Sequence, residues 1–204
     1  TRLCRETLDG RRRAIDENRP NDVSIYISIP FCPSRCHYCS FVSSATEKER
    51  KLLPEYVSLL CEEMAEVREK ILSDEKNPTT IYVGGGTPSV LDEKLTETLL
   101  SAIEKEFLKP FDIKEFTFEA GRPDTVTEQK LKILAAHGVG RISINPQTLN
   151  NAVLEKIGRR HTAEDFFVAY SLAEKYPFII NTDLIAGLPG DTSESFRDTV
   201  DKIF

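Results

Sequence analysis

Short apolar runs rich in β-branched residues alternate along the chain with longer segments in which apolar residues recur every three or four positions. The short runs predict five strands, at residues 23–29, 79–85, 115–120, 140–145 and 178–187. The longer segments predict helices at residues 55–72, 92–107, 128–137, 163–175 and 193–204. Five strand–helix units in series indicate an α/β protein with a parallel sheet or a (βα) barrel and with the helices outside.

Three of the predicted helices begin near a hydroxyl residue that is followed three positions later by an acid, which is the pattern of a capping box. The pairs are Ser89 with Asp92, Thr125 with Glu128, and Thr162 with Asp165. An arginine-rich polar segment at residues 2–17 predicts one further helix, and a boundary is expected near residues 18–22. The predicted organisation is a lead-in helix and linker over residues 1–21 and one core over residues 22–204.

The composition restricts the kinds of protein that the chain can be. Its 204 residues, 40% hydrophobic and 29% charged, suffice for one sizeable core but not for two domains of ordinary size. A net charge of −6 argues against a partner such as duplex DNA, and the sequence contains no apolar run long enough for a transmembrane helix. We therefore expect a cytoplasmic protein without nucleic-acid or membrane partners, in which clustered cysteines bind metal rather than form disulfides.

Three of the five cysteines are clustered. Cys32, Cys36 and Cys39 follow the first predicted strand directly, with the spacing C-x3-C-x2-C. Cys61 lies on the apolar face of a predicted helix and is expected to be a core thiol, whereas Cys4 has no partner pattern and receives no role.

The clustered cysteines admit three interpretations. A structural zinc site needs four protein ligands, and His37 of the same loop is the only candidate for the fourth. A redox disulfide between Cys36 and Cys39 leaves Cys32 unexplained. A four-iron cluster held by three thiolates explains all of them best, because it leaves one iron without a protein ligand and free to bind a substrate or cofactor.

The other candidate residues stand where the predicted strands end, which is where ligand chemistry collects in parallel α/β folds. The second strand runs into Gly84, Gly85, Gly86 and Thr87; later strands end near Glu119, Asn145, Gln147 and Asp183. Consecutive glycines allow the backbone to approach a ligand closely. The two carboxylates lie in apolar runs and are either satisfied structural groups or hydrogen-bond partners of a polar ligand group such as a ribose hydroxyl. Their common edge predicts one site.

Taken together, the motifs of residues 22 to 200 resemble the radical S-adenosylmethionine (SAM) superfamily. More narrowly they resemble its oxygen-independent coproporphyrinogen III oxidase group, in particular the coproporphyrinogen dehydrogenase (HemZ) branch. The motifs are YISIPFCPSRCHYCSF, GGGTPS, EAGRPD, RISINPQT, IGRRHT and DLIAGLPGDT. The resemblance implies a partial TIM-type (βα) barrel. Since barrels of this kind have six units, it also implies a core fragment truncated before the sixth strand.

The resemblance assigns roles to individual residues. Cys32, Cys36 and Cys39 would hold a [4Fe–4S] cluster whose open iron chelates SAM, and one electron would cleave SAM to methionine and a 5′-deoxyadenosyl radical. The residue that it implies beside the cluster and SAM is Tyr26, and the one near the adenine is Tyr38. The remaining implied SAM contacts are Gly84, Gly85, Gly86, Thr87, Glu119, Gln147, Arg159 and Asp183. No general base or other catalytic side chain is assigned.

The implied activity is that of an oxidoreductase in haem biosynthesis, the oxidative decarboxylation of coproporphyrinogen III to protoporphyrinogen IX without oxygen. Its implied partners are a tetrapyrrole substrate and a flavodoxin- or ferredoxin-like electron donor, with Arg35 as a candidate to hold substrate carboxylates. One departure leaves alternatives open, because Phe41 replaces the additional cysteine of the porphyrin-forming branch. These alternatives are a haem-binding or haem-transfer protein and a radical SAM methyltransferase.

Overall fold

The computed structural model describes residues 5, 8, 9, 19–41 and 43–204. Its five strands form one sheet in chain order, and every neighbouring pair is parallel, as predicted. The strands are β1 (Asp22–Ile29), β2 (Asn77–Gly85), β3 (Glu115–Gly121), β4 (Arg141–Ile144) and β5 (Ile179–Asn181). Of the predicted lead-in helix at residues 2–17, only residues 5, 8 and 9 are among the described residues, and Cys4 lies outside them.

The helices that cover the sheet include all five that the sequence predicts within the core. They are α1 (Glu47–Arg50), α2 (Leu53–Ser73), α3 (Glu93–Ile103), α4 (Glu128–Ala136), α5 (Asn151–Lys156), α6 (Ala163–Ala173) and α7 (Ser193–Ile203). The unpredicted α1 and α5 have only 4 and 6 residues, too few to establish a helical period. A π-helical turn, Glu104–Leu108, extends α3. None of the helices in the described part of the chain is both long and apolar enough to cross a membrane.

The two faces of the sheet differ in polarity. One face carries apolar side chains such as Ile27, Val83 and Phe118, which are buried with residues of α2 and α3 in the main core. Each such side chain contributes roughly 1.5–3 kcal/mol on burial. The other face presents polar groups, among them the stacked rings of Tyr26 and Tyr82. Cys61 packs against the core in a half-buried position, in agreement with the role predicted for this thiol.

Only one of the three predicted capping boxes forms. Thr162 and Asp165 make the expected reciprocal bonds at the start of α6. The N-cap of α3 is Asp92 and that of α4 is Thr127, because the residues that were predicted to cap them lie in short 3₁₀ turns that precede the helices. Ser89 instead contacts the Ala120 carbonyl and the hydroxyl of Thr125. These hydroxyls therefore connect the loops that follow β2 and β3 rather than cap helices.

The fifth strand is much shorter than the run at residues 178–187 predicts. It ends at Asn181, and the following backbone turns toward β4, where the Asp183 amide donates to Asn145 Oδ1 at 3.1 Å. The Gln147 amide donates to the Asp183 carbonyl at 3.2 Å. The ends of β4 and β5 are thus joined by loop contacts instead of a continued ladder.

Candidate functional site

One cavity lies at the carboxyl ends of the first four strands, and it collects most of the predicted site residues. Its lining comprises Cys32, Ser34, Cys36, Tyr38, Cys39, Phe41, Ser43, Gly85, Gly86, Thr87, Glu119, Gly121, Arg122, Asn145, Gln147 and Arg159. Three predicted residues, Tyr26, Gly84 and Asp183, lie outside this lining. The remaining ten predicted residues line this one cavity.

The cysteine loop, residues 30–41, is tied to the end of β2 at its base. The amides of Gly86 and Thr87 donate to the carbonyls of Ile29 and Phe31 at 2.9 and 2.8 Å. Cys32 is buried, Cys36 and Cys39 are half-buried, and none of the three thiols forms a disulfide. The loop consequently leaves β1 with a fixed direction and presents all three thiols to the cavity.

The glycine run is required by close approach of the protein to itself. A Cβ atom on Gly86 would lie 2.6 Å from the Phe31 carbonyl oxygen and 2.9 Å from Cys32 Sγ. Gly85 has a φ of +114°, which side chains other than hydrogen disfavour. A Cβ atom on Gly84 would lie 2.9 Å from Glu119 Oε2. The absence of side chains at the end of β2 thus allows the cysteine loop and the Glu119 carboxylate to pack directly against its backbone.

Glu119 connects the cavity to the polar face of the sheet. Its Oε2 accepts a hydrogen bond from the Tyr82 hydroxyl at 3.4 Å, and the Tyr82 ring stacks on Tyr26 with centroids 5.8 Å apart. Burial, together with the negative charge of Asp183, raises the pKa of Glu119. Burial and the charge of Glu119 likewise raise the pKa of Tyr82 to about 12. Tyr26 and Asp183 are therefore linked to the cavity through Glu119 without lining it themselves.

Gln147 occupies an unusual backbone conformation. Its φ is +70°, in the left-handed region that a residue with a side chain seldom adopts. The conformation is held on both sides, since the Gln147 amide donates to Asp183 and its carbonyl accepts from the Ile185 amide at 3.0 Å. The side chain is buried and lines the cavity.

Arg159 joins the β4 end to the cysteine loop. Its Nη1 donates to the Asn145 carbonyl at 2.5 Å and its Nε donates to the Tyr38 hydroxyl at 3.2 Å. Desolvation raises the pKa of Tyr38 to about 12 against the opposing charge of Arg159. The adjacent Arg160 is exposed and does not line the cavity.

Two buried residues near the cavity were not singled out from the sequence. Arg122, only 2% exposed, binds Asp124 through two hydrogen bonds of 3.0 and 3.1 Å. His161 is also buried, and desolvation, followed by the charge of Arg159, lowers its pKa to about 4. Arg122 stands within the EAGRPD motif directly after β3, and that position was the available signal for it.

The donor set fits a cluster held by three thiolates. Three free thiols face one cavity, and the missing Cβ of Gly86 leaves room beside Cys32 Sγ, which accepts a hydrogen bond from the Thr87 hydroxyl at 3.4 Å. Cysteine thiolates are the usual ligands of iron–sulfur clusters. Among the described residues, no three His, Cys, Asp or Glu side chains are arranged to hold one metal ion. A cubane cluster makes a different demand, since each thiolate binds its own iron.

The amino-acid sequence is similar to known proteins over most of its length. The chain is 38% identical over 97% of its length to an oxygen-independent coproporphyrinogen-III oxidase-like protein, HemZ, of Bacillus subtilis, and it covers 40% of that protein. It is 37% identical over 87% of its length to the haem chaperone HemW of the same organism, of which it covers 46%. The chain thus spans less than half the length of these relatives.

The fold is also that of a solved structure. Coproporphyrinogen III oxidase (HemN) from Escherichia coli, described as a radical SAM enzyme, superposes with a TM-score of 0.79 at 26% identity, over 94% of this chain and 43% of that one. The predicted partial (βα) barrel and the predicted resemblance are thereby confirmed. Residues 26–203 match the Radical SAM superfamily. The chain belongs to the radical SAM superfamily, whose cofactors are a [4Fe–4S] cluster and S-adenosylmethionine.

Proposed function

We propose that this chain is the SAM-cleaving core of a radical SAM oxidoreductase that acts on a tetrapyrrole. Cys32, Cys36 and Cys39 hold the cluster, and the remaining cavity residues bind SAM. The single observation that carries the proposal is the convergence of three free thiols with polar groups from the ends of β2, β3 and β4 on one cavity. Such convergence at the carboxyl edge of a parallel sheet is typical of active sites.

The side chains of the cavity bind and orient SAM in this proposal. The bare backbone of Gly85 and Gly86 faces its amino-acid part and accepts hydrogen bonds from it through carbonyl groups, because the amides of Gly86 and Thr87 already bond to Ile29 and Phe31. Glu119 suits a cationic group, because a positive charge nearby offsets the burial that raises its pKa. Arg159 suits a carboxylate, and Gln147 and Tyr38 complete the pocket. When bound, the reduced cluster supplies the electron that cleaves SAM to methionine and a 5′-deoxyadenosyl radical.

Three of the proposed residues do not line the cavity and act on SAM through Glu119. Tyr26 stacks on Tyr82, which donates to Glu119, so the tyrosine pair fixes the carboxylate. Asp183 adds negative charge beside Glu119 and thereby strengthens the attraction for a cation. Gly84 leaves the space that the Glu119 carboxylate occupies.

The proposed reaction is the oxidative decarboxylation of coproporphyrinogen III to protoporphyrinogen IX. Each of two propionates would become a vinyl group by losing one hydrogen atom, one electron and carbon dioxide, with bound SAM supplying the hydrogen-atom abstraction and an external acceptor taking the electron. The identity of 38% with a coproporphyrinogen-III oxidase-like protein supports this substrate. Arg35, exposed on the cysteine loop, is proposed to hold a propionate, and a flavodoxin- or ferredoxin-like protein of the cytoplasm to supply the electron.

A second candidate function is haem binding and transfer without decarboxylation. Two observations favour it: the chain is 37% identical to a haem chaperone, and Phe41 is 67% exposed at the edge of the cavity, where an apolar macrocycle can pack on it. The cluster and SAM remain part of this function, but the tetrapyrrole is bound as cargo.

The experiment that tests the proposal begins with anaerobic reconstitution with iron and sulfide. About four irons per chain, an EPR spectrum that shifts when SAM is added, and release of 5′-deoxyadenosine are expected. Cys32→Ala should abolish all three, whereas Cys61→Ala, which alters a half-buried thiol on α2, should abolish none. Stoichiometric zinc without iron uptake would refute the proposed core.

The substrate is then tested with coproporphyrinogen III and with haem. Appearance of mono- and divinyl products in the presence of SAM and reductant supports the oxidase. Stable haem absorption bands without vinyl products support the chaperone and would overturn the decarboxylase assignment.

A further inference from the structure

Arg122 makes an unusual set of contacts beneath the cysteine loop. Its Nε and Nη2 atoms bind the two oxygens of Asp124, and its Nη1 donates to Ser34 Oγ at 2.7 Å and to the Ser34 carbonyl at 3.4 Å. Ser34 lies between the first two cysteines, so the guanidinium reaches the loop at the segment that separates Cys32 from Cys36. Arg122 itself is only 2% exposed, whereas the Asp124 side chain is 24% exposed.

The same segment of the loop is docked on the end of α5. The Ser34 hydroxyl donates to the Gly158 carbonyl at 3.2 Å, and the His37 amide donates to the Ile157 carbonyl at 2.9 Å. His37 Nδ1 lies 2.8 Å from the Lys156 carbonyl, and since a carbonyl only accepts, this ring nitrogen carries the proton. Three consecutive carbonyls thus hold the loop.

Gly158 makes this docking possible. Its φ is +79°, and a Cβ atom there would lie 3.1 Å from the Arg35 carbonyl and 3.3 Å from His37 Nε2. Arg122 holds the loop on the side of β3, while the end of α5 holds it on the side of β4. The loop is therefore clamped by two consecutive units of the barrel, both of which are remote from the loop in sequence.

We infer that Arg122, oriented by Asp124, is a positioning residue that locks the Cys32–Cys36 segment so that the three thiols reach one cluster. The inference rests on the proposed function, because it assumes that these cysteines are the cluster ligands. Holding a short loop in one conformation opposes the conformational entropy that a free segment would gain. Removal of a residue that orients a metal ligand in this way typically lowers the affinity for the metal ten- to a hundredfold.

An arginine is suited to this position for a geometric reason. Its planar fork donates in two directions at once, to a carboxylate on one edge and to Ser34 on the other, whereas a lysine ammonium carries the charge without the fork. Arg122→Lys therefore removes the two-sided hydrogen bonding while it keeps a positive charge beside the cavity. Arg160→Lys is the matched control, since Arg160 is exposed and its guanidinium makes no hydrogen bond or ion pair within the described part of the chain.

The first measurement is hydrogen–deuterium exchange of the cysteine loop in the ligand-free protein. In Arg122→Lys the amides between Cys32 and Cys39 should exchange roughly tenfold faster than in the wild type, while exchange in the five strands is unchanged. Arg160→Lys should match the wild type throughout. Equal loop exchange in all three proteins would overturn the clamp, whether or not the chain takes up iron.

The second measurement is the loss of iron from the reconstituted protein to a chelator, together with the EPR spectrum of the reduced cluster. Arg122→Lys should lose iron about tenfold faster and give a broadened spectrum, because the thiols adopt several arrangements. If Arg122→Lys does not fold, Ser34→Ala retains the Arg122–Asp124 pair and should show the same changes to a smaller degree. A wild type without iron refutes the proposed function, whereas normal iron retention and spectra in both variants refute the clamp alone.

Discussion

Gly86 lies so close to Cys32 that a Cβ atom at position 86 would come within 2.9 Å of the Cys32 Sγ atom. The same Cβ atom would lie 2.6 Å from the Phe31 carbonyl oxygen, which is backbone and cannot rotate away. We predict that Gly86→Ala displaces the start of the cysteine loop and reduces iron incorporation at least tenfold. The iron content of the anaerobically reconstituted protein measures the effect.

The control for this substitution is Gly140→Ala. A Cβ atom on Gly140 has no heavy atom within 4 Å, so this variant changes the same residue type without a clash. It should incorporate iron like the wild type. Full incorporation by Gly86→Ala would contradict the close approach described for the end of β2.

The sequence predicts the core elements well because their signals are local. Four of the five strands lie within a few residues of their apolar runs, and the fifth ends early because the Asp183 amide bonds to Asn145 of the neighbouring β-unit. The helix starts also lie within two residues of their predictions, but the residues predicted to cap them were less accurate. Ser89 matches a capping box as well as Thr162 does, but only tertiary contacts decide that its hydroxyl bonds across to β3.

The positions of the residues around the candidate site were predicted to a similar extent. Strand ends identify the residues that line the cavity, because parallel strands bring their carboxyl ends to one edge. The burial of Arg122 and His161 could not be predicted, since it depends on how the loops after β3 and β4 pack together. The glycine run illustrates the same limit. Its pattern indicates close approach, but not that Phe31 and Cys32 are the groups approached.

Gln147 allows the backbone and the side chain to be tested separately. Its φ of +70° is unfavourable for a residue with a Cβ atom by about 1–2 kcal/mol, and glycine escapes that strain. We predict that Gln147→Gly unfolds at a temperature roughly 2–8 °C higher than Gln147→Ala, as measured by thermal denaturation of both variants.

Both Gln147 variants lack the amide that is proposed to contact SAM. They should therefore weaken SAM binding to the reconstituted protein equally, by about tenfold, as measured by equilibrium binding. A weaker effect of Gln147→Gly than of Gln147→Ala would show that backbone strain, rather than the amide, governs the affinity.

Glu119 is predicted to make the stability of the ligand-free protein depend on pH. Burial raises its pKa in the folded state, so the folded protein binds this proton more tightly than the unfolded chain does. The resulting stabilisation is complete below the unfolded value of about 4.5 and is lost as the pH rises through the folded pKa. Glu119→Gln should consequently raise the unfolding temperature at pH 7.5 and leave it unchanged near pH 4, as measured by thermal denaturation at both pH values.

The same substitution should have the opposite effect on SAM. Without the carboxylate, the proposed partner of a cationic group is lost, and SAM affinity should fall by at least tenfold. Higher stability with unchanged SAM affinity would confine Glu119 to a structural role.

His161 is predicted to contribute to acid denaturation. Desolvation holds its folded pKa at about 4, below the unfolded value of 6.5, so the unfolded chain binds the proton first as the pH falls. The stability that neutral His161 allows is present above pH 6.5 and is lost between pH 6.5 and about 4, up to about 3 kcal/mol at 1.36 kcal/mol per pKa unit. His161→Gln, which carries no titrating group, should lose about that much less stability over this interval in denaturant unfolding. Every carboxylate is common to both proteins, so the difference between their pH profiles isolates the histidine; parallel profiles would mean that His161 accepts a proton without cost in the folded protein.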